Sequence, residues 1–140
     1  MPGLWQCVSG SIEPGERIAL AALREIEQET GFGPTTIEAF YDLDLVNAFH
    51  EPSVDAVLTS AVFAVQVRND LEPVLSLEHT AFRWVELQAA RREVVWPGYR
   101  DAIGRIRDHL LDPAREVWFR LGLDGARPSD AGEPNGREPG

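Results

Sequence analysis

The chain has 140 residues, 44% of them hydrophobic, which is about the size of one domain and enough to bury a core. Its formal net charge is −10, and all 13 of its basic residues are arginine. Because non-specific binding to nucleic acid or to an anionic membrane depends on basic surface, this charge argues against both partners. An acidic protein that handles phosphates would instead need a metal ion between its carboxylates and the substrate.

The cysteine and hydropathy patterns bear on the cellular compartment. One cysteine, Cys7, rules out an internal disulfide framework and fits a reducing cytoplasm. Free cysteines are usually buried, so we predict that Cys7 is a small core residue rather than a reactive thiol. No apolar run approaches the length of a membrane span, and the first residues lack the pattern of a signal peptide. We therefore expect a cytoplasmic protein.

The first part of the chain predicts an extended segment followed by a helix. Residues 4–9 are typical of a short strand or an extended entry, and residues 10–16 are rich in turn formers. Residues 17–30 are rich in Ala, Leu, Glu and Arg, and their apolar residues recur at helical spacing. Gly31 is a natural stop for this helix.

Three further segments have the composition of strands: residues 37–46, 56–67 and 81–87. The second is rich in Val and Ala and is predicted to be mostly buried. The third alternates in character, so we expect its Phe82 and Trp84 to pack in the core rather than to stack on a base.

The last part of the chain is predicted to form helices followed by a disordered tail. Residues 96–111 show apolar residues at helical spacing, and residues 113–123 favour one more short helix. After that point Gly, Pro and charged residues dominate, which predicts a domain over residues 1–122 and a disordered tail over residues 123–140. Interspersed helices and strands indicate a mixed α+β class.

The predicted helix presents an acidic face. Each helical residue turns about 100°, so Glu25, Gln28 and Glu29 project from one side. Glu16, in the turn before the helix, can fold back towards them, and Arg24 is placed to pair with one of these acids. Crowded acids repel each other, and a divalent cation such as Mg²⁺ or Mn²⁺ would relieve that repulsion. A solvated helix face is the alternative, and for an isolated pair of glutamates it is the commoner one.

The whole stretch from residue 10 to residue 32 resembles the Nudix box. That signature is Gly, five residues, Glu, seven residues, Arg-Glu, an aliphatic residue, any residue, Glu-Glu, any residue, Gly and an aliphatic residue. Its fixed positions fall here on Gly10, Glu16, Arg24, Glu25, Ile26, Gln28, Glu29, Gly31 and Phe32. Only Gln28, for Glu, and Phe32, for an aliphatic residue, depart from it.

The resemblance extends beyond the box. Residues 75–87, LSLEHTAFRWVEL, are similar to a downstream Glu-His segment of many Nudix hydrolases, and residues 96–110 to the closing helix of the family. The nearest subgroup cleaves nucleoside triphosphates or dihydroneopterin triphosphate and releases pyrophosphate. The resemblance implies the Nudix fold, a mixed sheet between helices, with the usual N-terminal strands missing before Leu4. An unpaired strand edge favours self-association, so a homodimer is an expected assembly.

The resemblance also implies roles for individual residues. It implies an enzyme that acts on a small nucleotide-like phosphate with Mg²⁺ or Mn²⁺ as cofactor. The metal ligands would be Glu25 and Glu29, joined by Glu16 and Gln28. The catalytic set would be Arg24, Glu25, Glu29 and Glu78, with Glu78 as a further ligand or general base. His79 and Gly10 are candidates for substrate binding, and a structural hydrogen-bonding role at the start of a strand is the commoner alternative for His79.

Gln28 opens an alternative to catalysis. An amide offers a carbonyl oxygen without the charge that hard cations prefer, so metal binding should be weakened. The second hypothesis is therefore a nucleotide-binding or regulatory module of the same fold with little or no catalysis.

Overall fold

A computed structural model describes residues 3–128, in which one antiparallel sheet lies among short helices. The elements in chain order are helix α1 (Ile18–Thr30), strands β1 (Ile37–Glu51) and β2 (Ala56–Val67), helices α2 (Leu87–Glu93) and α3 (Pro97–Arg105), a π-helical turn (Ile106–Leu110), helix α4 (Pro113–Glu116) and strand β3 (Arg120–Leu121). The predicted α+β class is confirmed.

The sheet is dominated by the long β1–β2 hairpin, and the strand order is β2-β1-β3. β1 was predicted to end at residue 46, but it continues to Glu51, which pairs with Ala56 across the turn. Only residues 52–55 are left between the two strands, because backbone pairing with β2 outweighs the polar residues of the segment 47–51. A bulge between Asp42 and Leu45 interrupts the register part-way along β1.

The core lies under the first half of β1. Phe40 and Leu43 are its largest fully buried side chains, and the ring of Phe40 lies 5.4 Å from that of Phe63 on β2. Helix α3 is tied to the bulge by Arg105, whose Nη1 donates to the carbonyl of Leu43 at 3.0 Å. These contacts attach the helical layer to the sheet.

The predicted helix over residues 17–30 is confirmed as α1. It ends at Gly31, whose φ of 74° places it in the left-handed region and whose N–H donates to the Glu27 carbonyl at 2.9 Å. A glycine adopts this conformation without the cost that a Cβ would bring. The last turn of α1 therefore ends at a defined place, which matters because it carries the acidic face.

The third predicted strand, residues 81–87, is wrong. Residues 81–86 have no regular structure and Leu87 starts α2, because β3 occupies the place beside β1 and Leu87–Glu93 consists mostly of good helix formers. Phe82 and Trp84 are exposed, Trp84 by 61%, so their predicted core packing is wrong as well. Without pairing on a sheet, the alternation of residue types has no buried face to fill.

Two other burial predictions also fail. β2 has the predicted bounds, but its first half is exposed, with Val57 at 71%, because no second layer covers that end of the hairpin within the described residues. Cys7 is exposed rather than part of the core. Residues 4–9 form no regular strand, and their one sheet-like contact is a bridge from Trp5 to Val94.

The predicted helix over residues 96–111 is present as α3 and the π-helical turn. The segment 113–123 forms only the short α4 before β3. The start of the predicted tail packs on the domain, since Gly125 lies close to Ala19 of α1. The predicted disorder over residues 129–140 lies outside the described residues. No helix within residues 3–128 is both long and apolar enough to cross a membrane.

Candidate functional site

The site begins at a tight turn that leads into α1. Glu16 N–H donates to the Glu13 carbonyl at 3.0 Å, and Glu13 N–H donates back to Glu16 Oε2 at 2.9 Å. Between them, Pro14 and Gly15 occupy the central positions, with Gly15 at a φ of 75°. Proline followed by glycine suits a turn that needs a positive φ at its second central residue. The turn therefore points the Glu16 carboxylate back towards the helix.

The guanidinium of Arg24 donates hydrogen bonds to the polar side chains of the acidic face. Its Nε and Nη2 donate to both oxygens of Glu16, at 2.7 and 2.9 Å. Its Nη1 donates to Glu25 Oε1 at 2.7 Å and to Gln28 Oε1 at 3.2 Å. A further bond from Nη2 reaches the carbonyl of Ser11 at 2.9 Å. The planar fork of arginine is suited to holding several oxygens at once.

This network shifts the ionisation of Glu16. The hydrogen bonds from Arg24, and then from the Glu13 backbone, lower the pKa of Glu16 to about 2. The hydrogen bonds of Arg24 to Glu16 and then to Glu25 raise the pKa of Arg24. Hydrogen bonds and an opposite charge both favour the charged forms, so the Glu16–Arg24 pair stays ionised throughout the neutral range. The sequence predicted the pairing of Arg24 with an acid, whereas the carbonyl of Ser11 has no side-chain signal that could have revealed it.

Gly10 lies against the side chain of Glu25. A Cβ on Gly10 would overlap the Cγ and carboxylate of Glu25, although nothing in the Gly10 backbone is strained. The glycine is therefore needed for close approach and not for an unusual backbone angle. Because Gly10 has no Cβ, the Glu25 carboxylate fits beside the segment that precedes the turn.

We expect Gly10→Ala to lower activity while the protein still folds, because the Glu25 carboxylate must move out of its place. Misplacement of a reacting group by about 1 Å can cost about 100-fold in rate, so a loss of at least about 10-fold is expected. Gly104→Ala is the matched control, since a Cβ on this glycine of α3 meets nothing within 4 Å. The control should be as active as the parent. Equal kcat/KM values for the two variants would contradict the role of Gly10.

Glu29 is the buried acid of the site. It is only 5% exposed, and its Oε2 lies 2.7 Å from Nε2 of His79. The backbone around His79 is held on the end of α1, since Ser76 N–H donates to the Glu29 carbonyl at 3.1 Å. The predicted site residues Glu29 and His79 are thus brought together across the fold.

Glu78 and Glu27 lie at the margin of the site. Glu78 is exposed in the turn next to His79, and none of the side-chain hydrogen bonds within residues 3–128 joins it to the box. Glu27 is exposed on α1, in keeping with a place outside the acidic face. The structure brings Glu16, Arg24, Glu25 and Gln28 into one network and Glu29 into a second contact with His79.

The donor chemistry of the site suits a hard divalent cation. Carboxylate oxygens of Glu16, Glu25 and Glu29 and the amide oxygen of Gln28 are the ligand types that Mg²⁺ and Mn²⁺ prefer. Within residues 3–128, no three acidic, His or Cys side chains converge closely enough to hold a metal ion. Instead, Arg24 engages Glu16 and Glu25, and His79 engages Glu29.

The family of this chain is decided by a match along its length. The profile of the NUDIX domain matches residues 1–105, which include the whole acidic network. The chain belongs to the Nudix family. The Nudix fold is thereby established.

Two curated proteins are similar to this Nudix chain. It is 36% identical over 105 residues to an octanoyltransferase of Myxococcus xanthus, a match that covers 74% of the chain and 28% of that protein. It is also 36% identical over 91 residues to an asymmetrical bis(5'-nucleosyl)-tetraphosphatase of Sus scrofa, covering 61% of the chain and 58% of that protein. The chain therefore spans less than two thirds of either relative.

Solved structures agree with the fold of this Nudix chain. An Ap4A hydrolase of C. elegans in a binary complex superposes with a TM-score of 0.65 at 20% identity, over 79% of each chain. A NUDIX hydrolase of Listeria monocytogenes superposes with a TM-score of 0.59 at 26% identity, over 77% of this chain and 76% of that one. At such identities the likeness to the C. elegans protein speaks for the fold alone.

Proposed function

We propose that this chain hydrolyses a phosphoanhydride bond of a nucleotide, with a divalent cation held on the acidic face of α1. The observation that carries the proposal is the Arg24 network, which fixes Glu16, Glu25 and Gln28 in one place. An isolated ion pair on a solvated helix face contributes little to stability, whereas Arg24 joins two carboxylates and one amide at the same time. It prepares a rigid set of oxygens beside the buried Glu29.

The proposed chemistry divides between the ion and the protein. A bound Mg²⁺ or Mn²⁺ would neutralise phosphate charge and lower the pKa of its bound water. Glu25 and Glu29 would hold the ion, with Gln28 and Glu16 as further oxygen donors. Arg24 keeps these groups in position before substrate arrives, so little reorganisation is needed in the reaction. Glu78, exposed at the margin, is the proposed general base or additional ligand.

Two substrate classes fit this proposal. A dinucleoside tetraphosphate is favoured by the 36% identity to the tetraphosphatase of Sus scrofa. A nucleoside triphosphate or dihydroneopterin triphosphate was expected from the sequence, and it would release pyrophosphate. Both present a chain of charged phosphates that the acidic protein can approach only through cations.

One assay separates these classes. The protein is incubated with Mg²⁺ or Mn²⁺ and each substrate, and the products are resolved by anion-exchange chromatography. Asymmetrical cleavage of a dinucleoside tetraphosphate yields a mono- and a triphosphate, whereas a triphosphate yields a monophosphate and pyrophosphate. Hydrolysis of neither class, nor of nucleotide sugars, would contradict the proposed enzyme.

A nucleotide-binding module without efficient catalysis is the second candidate, and Gln28 is the observation that favours it. The amide already accepts a hydrogen bond from Arg24 and brings no charge to the site. Absence of turnover together with a nucleotide-dependent rise in melting temperature would support this candidate, because a ligand that binds only the folded state stabilises it.

We expect Gln28→Glu to lower the Mg²⁺ concentration that gives half-maximal activity. The substitution adds one negative charge beside Glu25 and Glu29, and charge is what hard cations bind most strongly. The measurement is a Mg²⁺ titration of initial rate for the parent and the variant. Glu27→Gln, a substitution of an exposed residue on the same helix, should not change the Mg²⁺ concentration that gives half-maximal activity. An unchanged Mg²⁺ dependence in Gln28→Glu would refute the prediction.

Self-association stays a prediction of the sequence. In its support, Trp5, Trp84 and Trp96 are all exposed, and each is a large apolar surface that a second copy would cover. We expect the purified protein to elute from a size-exclusion column at the volume of a dimer. Elution as a stable monomer that unfolds cooperatively would count against it.

A further inference from the structure

Residues 74–79, here called the 74–79 loop, are fastened to the last turn of α1. Val74 N–H donates to the Thr30 carbonyl at 2.8 Å, and Ser76 N–H donates to the Glu29 carbonyl at 3.1 Å. The last carbonyls of a helix have no partner within the helix, so these two bonds satisfy groups that would otherwise need water or a cap. The loop then turns on itself, with His79 N–H donating to the Ser76 carbonyl at 3.2 Å. His79 is thereby placed by its backbone.

The side chain of His79 completes the attachment. Its Nε2 lies 2.7 Å from Glu29 Oε2, and the two side chains are only 19% and 6% exposed. A carboxylate can only accept, so the ring nitrogen carries the proton and donates it to Glu29. Without this donor, one oxygen of a buried carboxylate would lose its partner, and the side chain would be free to turn to another rotamer.

We infer that His79 is a positioning residue that orients the Glu29 carboxylate for the cation. This role rests on the proposed function, and it differs from the substrate contact that the sequence suggested for His79. Groups that hydrogen-bond to metal-ligating side chains fix the orientation of those ligands, and their loss costs about 10- to 100-fold in metal affinity or activity. Because His79 engages Oε2 of Glu29, the other oxygen, Oε1, is assigned to the cation.

The inference is tested by binding of Mn²⁺ alone, measured by electron paramagnetic resonance on the parent, His79→Leu and His79→Gln. Leu removes the donor and keeps an apolar body, whereas Gln offers an amide N–H at a similar reach. We expect His79→Leu to weaken Mn²⁺ binding by about 10- to 100-fold. His79→Gln should restore most of the affinity, a rescue that a role in packing alone would not give.

His50→Leu is the matched control. His50 also lies beside a carboxylate, with Nε2 at 3.2 Å from Asp55, but this pair is exposed at the end of the hairpin. Loss of the His50–Asp55 contact should leave Mn²⁺ affinity unchanged. Parent-like affinity in His79→Leu, or equal weakening in both His79 variants, would overturn the positioning role. A parent protein that binds no Mn²⁺ would overturn the proposed function itself.

A second comparison covers the case in which His79→Leu does not unfold cooperatively. His79→Asn has the same amide as His79→Gln on a side chain one methylene shorter, so its donor falls short of Glu29. The positioning role then requires His79→Gln to bind Mn²⁺ more tightly than His79→Asn. Equal affinities of these two folded variants would overturn it.

Discussion

Glu29→Gln is expected to reduce kcat by at least about 100-fold, more than the loss of a residue that only supports a ligand. The substitution removes the charge of the one buried acid of the site but keeps its shape. The amide oxygen can still accept from His79 Nε2, so the contact with the 74–79 loop survives. The loss should therefore come from the missing charge and not from a collapse of the fold.

The control for this variant is Glu27→Gln, which makes the same chemical change on an exposed residue of the same helix. Steady-state kinetics at saturating Mg²⁺ and cooperative unfolding followed by circular dichroism are measured for both. We expect both variants to unfold cooperatively and only Glu29→Gln to lose activity. Activity within a few-fold of the parent in Glu29→Gln would show that Glu29 has no direct part in catalysis.

Arg24→Lys is expected to lower kcat/KM by about 10- to 100-fold, the range found when groups that orient metal ligands are removed. A lysine ammonium is a compact charge without the planar fork, so it cannot reach Glu16, Glu25, Gln28 and the Ser11 carbonyl together. The overall charge of the site is kept. The loss therefore reports geometry, in contrast to the loss of charge in Glu29→Gln.

Arg120→Lys provides the comparison for Arg24→Lys. Arg120 also donates to both oxygens of a carboxylate, Glu116, but it lies on β3 outside the box. We expect its substitution to leave kcat/KM at the parental level. A loss of the same size in the two variants would mean that arginine is needed for general stability, and the orienting role of Arg24 would be rejected.

Local features of the sequence were predicted well because they depend on neighbours along the chain. Helical spacing and Gly31 define α1 to within one residue at its start. The spacing of the box also predicted that Arg24 would meet an acid, since residues of one helix and the turn before it stay close. These parts need no knowledge of the rest of the fold.

Contacts between distant segments could not be predicted in the same way. The pair of Glu29 and His79 joins residues 50 positions apart, and only the placement of the 74–79 loop on α1 brings them together. The strand predicted over residues 81–87 failed for a related reason. Its alternating composition is compatible with a strand, but a strand also needs a partner, and composition does not say which segment pairs with β1.

The contacts around Arg24 also join the ends of the segment between Gly10 and Arg24, so that it forms a loop of fixed length. Its two ends are joined by the Glu25 side chain against Gly10 and by the bond from Arg24 to the Ser11 carbonyl, and the bonds from Arg24 to Glu16 cross its middle. An exposed residue such as Ile12 can be substituted without a change in the length of the loop. An inserted or deleted residue would change that length, so natural drift and designed libraries should vary this segment in sequence while conserving its length.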